Sequence, residues 1–255
     1  MNTNEKKIVK KMLPQSHGSW AFVLEPLVLA LWVAWSFNGL MLFIGALFAF
    51  LSHQPIRTLI AHGYQRTVFI VSFVIVSMAA FFILYFIVNT DVSINWRLFF
   101  AIFLLFIFLF IDLSGKAKSL VGELIVPFAI SIMAASIFLV QKQSIVLSFA
   151  FLLVLLSRSL PTVFLVRTQI RVFKNKRYSN IPPIFAHLIA LVIVIVLIYF
   201  NLIPPGIVIA VILLFLRCCI FLYPMKNKLS VKQIGISEFI FGMLFVVICG
   251  IAYTM

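Results

Sequence analysis

Acidic residues are nearly missing from this sequence: its 255 residues include 6 Asp and Glu against 20 Lys and Arg, a net charge of +14. Charge of either sign is scarce, at 10%, while hydrophobic residues make up 64%, which excludes a water-soluble fold. Cysteine is almost absent too. Cys218, Cys219 and Cys249 lie within apolar runs, without a C-x-x-C pair or a nearby His, so neither metal nor disulfide chemistry has a framework. No small-residue cleavage site follows the basic opening "MNTNEKKIVKK", so the N-terminus is expected to be retained as a short basic segment, residues 1–17. The bases sit in short breaks between apolar runs. That placement reads as membrane orientation, and no nucleic-acid partner is expected.

What the sequence has in abundance is apolar runs, with Phe alone occurring 29 times. A membrane-crossing helix takes about 20 mostly apolar residues. Runs of that length follow one another almost without pause, predicting one all-α transmembrane domain over 18–255 with nine helices: 18–35, 38–56, 67–88, 95–112, 119–140, 144–166, 182–200, 204–222 and 235–254. Breaks such as "SFN", "NTDVSIN", "SGKAKS" and "NLIPP" separate them. Counted by side, 18 Lys and Arg fall at one set of helix ends, leaving Arg97 and Lys142 at the other. The positive-inside rule then predicts a cytoplasmic N-terminus and an outside C-terminus.

The helical rise of about 1.5 Å per residue converts position into depth. Glu25 lies about 10 Å into the first helix and Arg158 about 13 Å into the sixth. Glu123, His187 and Glu238 lie a turn or two into theirs, and His53 and Arg57 close the second. Apart from Arg97, strongly polar residues are predicted in the inner half of the membrane. Ionisable groups at such depth cost a few kcal/mol or more unless paired or wetted, and they commonly mark a site. The candidate ligand-binding residues are His17, Glu25, His53, Arg57, Glu123, Arg158, Arg167 and Arg171, around a polar cavity open to the cytoplasm.

A plainer reading stands beside this one. Glu25 with Arg158, or Glu123 with Arg158, would make a buried pair that only fixes packing. Trp20 fits an interfacial anchor as well as a stacking platform. His53 and Arg57 are four apart, as are Arg167 and Arg171, and the two pairs are offset by 114 residues, which hints at related halves or simply reflects positive-inside charge. Arginine forks suit carboxylate and phosphate, and apolar walls rise behind them, so an anionic amphiphile is the expected ligand. Inner-leaflet phospholipid would satisfy the same residues.

The blocks "LPQSHGSWAFVLEP", "FLSHQPIR", "LVGELIVPFAISIMA" and "LPTVFLVRTQIR" resemble the YwiC-like bacterial membrane proteins over nearly the whole chain, a likeness that implies an integral membrane protein and no named reaction. More distantly, nine helices with functional loops after helices 2 and 6, and the "GEL" at Gly122 to Leu124, look like the UbiA prenyltransferase superfamily. That likeness implies polyprenyl transfer with Mg²⁺ held by Asp-rich motifs. Here those loops read "SHQPIRTLIAHGYQ" and "LVRTQIRVFKNKRYS", without one carboxylate, so neither Mg²⁺ nor another cofactor is expected. The expected function is binding of an anionic isoprenoid, quinone precursor or phospholipid, or its metal-independent transfer. A secondary transporter, and an accessory factor of a respiratory complex with a membrane-protein partner, are the alternatives.

Overall fold

The computed structural model describes residues 17–63, 66–142, 144–222 and 229–255. Among them are nine helices: α1 (His17–Val33), α2 (Phe37–His62), α3 (Arg66–Val88), α4 (Val92–Leu113), α5 (Leu120–Lys142), α6 (Ile145–Phe173), α7 (Ile181–Tyr199), α8 (Ile207–Leu222) and α9 (Val231–Thr254). Seven are long and apolar enough to cross a membrane. The other two, α1 with 17 residues and α8 with 16, are shorter and equally apolar.

The helix starts have local causes. Ser36 and Ser144 accept from the amides of Gly39 and Leu147, and Ser230 with Gln233 forms a reciprocal capping box, so α9 begins at Val231, a turn ahead of the expected 235. At the other extreme, α2 and α6 run to His62 and Phe173, past the expected 56 and 166. Apolarity marks where hydrocarbon ends, whereas the backbone ladder continues into water as long as the residues favour it.

α5 is the central element, packed against α1, α2, α4 and α6, and every residue from Ala129 to Leu139 is buried. A helix covered all round needs no amphipathic stripe. α6 packs against α5, α7, α8 and α9, while α1 and α9 pack side by side. That last contact is close because α9 offers glycine: a Cβ on Gly250 would stand 2.8 Å from the Trp32 ring of α1. α3 packs on α2 alone among its well-contacted neighbours, and together with α4 it presents Phe73, Phe81, Phe103, Phe106 and Phe110 outward as a lipid-facing surface.

Two ends of the bundle differ. At one, Asn38 donates to the Asn89 carbonyl at 3.0 Å, Ser148 to the Ala135 carbonyl, and Phe138 stacks on Phe151 with Tyr253 edge-on to both. Arg97 lies over Trp96 and reaches Ser148 at 3.5 Å. At the other end Lys and Arg dominate. Of the intrahelical prolines, Pro55 and Pro127 lie toward this basic end while Pro26 and Pro161 lie near the middle of α1 and α6, each freeing a backbone carbonyl one turn before it.

Candidate functional site

Four buried charges meet where α1, α6, α8 and α9 come together. Arg158 of α6 places Nη2 3.1 Å from Glu25 Oε2 of α1 and donates to the backbone carbonyl of Glu238 at 3.2 Å. Its Nη1 donates to Thr162 one turn on and stands 3.7 Å from Glu238 Oε2 of α9. Glu238 Oε1 in turn accepts from Arg217 Nη2 of α8 at 2.5 Å. The four side chains are 2–7% exposed. Two guanidinium and two carboxylate groups make the network formally neutral, which is how charge becomes tolerable at this depth.

Backbone shape makes room for it. α9 carries Gly242 one turn after Glu238, and a Cβ there would fall 1.5 Å from Glu25 Oε1. Only glycine leaves space for that carboxylate. Arg217 lies with its guanidinium 5.0 Å above the Phe241 ring and 5.8 Å from Phe221, contacts that satisfy the face of the cation but not its N–H edge. Three nitrogens keep no acceptor: Nε of Arg158, and Nε and Nη1 of Arg217. Buried donors without partners are costly, so these mark where an acceptor is wanted.

His187 of α7 is 2% exposed and its Nδ1 lies 2.7 Å from the Pro183 carbonyl, a bond that ties the ring to its own helix.

The remaining candidates fall into two other clusters. His53 Nε2 and Arg57 Nε of α2 lie 3.1 Å and 3.3 Å from Asp112 Oδ2 at the end of α4, with the His53 ring against Phe108. Arg167 of α6 donates to Glu123 Oε2 of α5 at 2.6 Å and reaches the Lys118 carbonyl. Arg171 is exposed. His17 opens α1, but its side chain lies outside the described residues, as does that of His62. Trp20 packs edge-on against Phe50 within the bundle. Among the described residues no group of three or more His, Cys, Asp or Glu is placed to hold a metal ion.

Of the two pairings open at the sequence level, the one formed is Glu25 with Arg158, and Glu123 takes Arg167 instead. The pairs at the ends of α2 and α6 are not equivalent: one meets an acid two helices on, the other an acid on the preceding helix. Glu238, placed by its depth, is not among the candidate residues, and Asp112 and Arg217 are left out of the sequence reading of the site altogether. Both stand near helix ends, where a charge reads as ordinary, although Arg217 falls inside an apolar run and that alone is a signal.

The Glu123–Arg167 pair has side chains 34% and 25% exposed. A pair so wetted contributes about 0–1 kcal/mol. Glu123→Gln is therefore expected to leave detergent-solubilised stability within about 1 kcal/mol of wild type; a loss several times larger would mean that this pair, too, belongs to a desolvated network.

The family model described as YwiC-like protein matches residues 13–138. That segment supplies an acid to each cluster, Glu25, Asp112 and Glu123, while Arg158, Arg167, Arg217 and Glu238 lie beyond it. No curated protein matches, nor does any solved structure.

Proposed function

We infer that this chain, YwiC-like over residues 13–138, is a multi-pass membrane protein that receives an anionic, lipid-like molecule at the Lys- and Arg-rich end of its bundle, the cytoplasmic side of a bacterial cell membrane. The observation that carries the reading is the set of buried guanidinium nitrogens without acceptors on Arg158 and Arg217. An oxyanion head would accept single N–H bonds at those positions, because the Nη2 corner of each guanidinium fork is already held by Glu25 or Glu238. Its apolar tail would share the surroundings that the helices already share with lipid. A phospholipid, an isoprenoid phosphate and an acidic quinone precursor all present this chemistry.

The test is native mass spectrometry with lipid analysis on protein extracted gently from its own membrane, comparing wild type with Arg158→Lys. Lysine keeps the charge balance but lacks the fork, so the variant is expected to accumulate normally and lose one anionic amphiphile that wild type retains. Identical bulk phospholipids on both would overturn the reading and leave the charges structural.

A second reading, secondary transport, draws support from Pro26 and Pro161, which interrupt the two helices that carry Glu25 and Arg158. Its expected result is flux of an organic anion in proteoliposomes that collapses with the proton gradient and disappears in Glu25→Gln.

A further inference from the structure

The apolar side chains around the network form two separate clusters. The large one includes Val154, Leu155, Leu214 and Phe245; the small one consists of Leu165 of α6, Cys218 and Leu222 of α8, and Ile184 of α7. The charged layer lies between them. Leu165 is seven residues, about 10 Å, closer to the basic end than Arg158 on the same helix. Leu165 and Cys218 are fully buried. The small cluster therefore closes the network off from the basic end.

One turn further out, polar groups return. Gln169 follows Leu165 by four residues on the same face of α6, is 6% exposed, and has neither its amide nitrogen nor its oxygen partnered. Asn180 precedes Ile184 by four residues at the start of α7, and its side-chain oxygen is buried and likewise without a donor. Leu165 and Ile184 belong to one cluster, so Gln169 and Asn180 stand at one level. Thr168 beside them reaches the Ser179 carbonyl at 3.5 Å. Along α6 the order is an unpartnered amide, an apolar contact, and a guanidinium whose Nε alone lacks an acceptor.

We propose that Gln169 and Asn180 form an outer polar station for the incoming head group, and that Leu165, Ile184, Cys218 and Leu222 are the barrier that parts to pass it to Arg158 and Arg217. The station offers the two N–H groups of Gln169 and the side-chain oxygens of Gln169 and Asn180, which suits an oxyanion still carrying a proton or a hydroxyl. This route rests on the proposed anion site as its destination.

Cys218 stands in the barrier and reports on it. In full-length protein carrying Cys219→Ser and Cys249→Ser, the probe is 2-sulfonatoethyl methanethiosulfonate, applied to sealed membrane vesicles of each orientation. Leu222→Ala is expected to speed Cys218 modification at least tenfold, from the Lys- and Arg-rich side only. Leu214→Ala, on the far side of the network, is expected to leave the rate unchanged. Adding Gln169→Leu to Leu222→Ala is expected to slow the anionic reagent severalfold while leaving an uncharged maleimide unaffected. If Leu222→Ala fails to accumulate, Leu165→Ala replaces it.

An unchanged rate in the barrier variant, an equal rise in Leu214→Ala, or labelling from the opposite side would overturn the route. Because the readout needs no bound ligand, it separates from the lipid-retention experiment. A working barrier with no retained amphiphile would sink the proposed ligand and keep the route.

Discussion

Arg217→Leu is expected to be among the most damaging single substitutions in the bundle, with a loss of about 3–5 kcal/mol, the range for removing one partner of a buried ion pair. The reason lies in what stays behind. Glu238 would lose its 2.5 Å partner and keep only the 3.7 Å approach of Arg158, which is already shared with Glu25. Two carboxylates would then face one guanidinium in a site 2–7% exposed. The double variant Arg217→Leu with Glu238→Leu removes one charge of each sign and leaves Glu25 facing Arg158, so it is expected to recover most of the loss. Unfolding in SDS titrations of purified protein reads both. Should the double variant be no more stable than the single, the network is held together by packing around Arg217, including its contacts with Phe221 and Phe241, and not by charge balance.

That expectation bears on how much of this molecule its sequence discloses. The nine helices among the described residues and their common polar end follow from run length and the distribution of Lys and Arg, because both reflect the bilayer more than the neighbours a helix happens to have. The start of α8 at Ile207, three residues later than expected, follows from Pro204, Pro205 and Gly206, which belong to the turn. Pairing is a different matter. Glu25 and Glu238 lie at the level of Arg158 and Arg217, whereas Glu123 lies nearer the basic end with Arg167, nine residues beyond Arg158, so depth separates Glu123 but leaves the pairing within the deeper set open. Which pair forms depends on the neighbours of α1, α5 and α9, and those are set by side-chain fit over whole helix lengths. Among the candidates whose side chains are described, Glu25 and Arg158 reach the four-charge network and the others fall elsewhere.

One residue near the network was readable in principle. Gly242 follows Glu238 by four, so it shares that residue's face, and glycine inside a membrane helix signals close approach. Gly242→Ala is expected to destabilise the protein by about 1–3 kcal/mol from overpacking alone, and more if Glu25 is driven off Arg158. The added methyl would meet the Glu25 carboxylate at 1.5 Å, a distance no small adjustment relieves. In a Glu25→Ala background the obstacle is gone and Arg158 still has Glu238, so the same Gly242→Ala is expected to be neutral or to stabilise by up to about 1 kcal/mol, as Ala does over Gly inside a helix. The coupling between the two substitutions, measured as the difference between those costs, is then of the order of 1–3 kcal/mol. Additive losses would mean that Glu25 does not sit against α9, and with it would go the seating of Arg158 between two carboxylates.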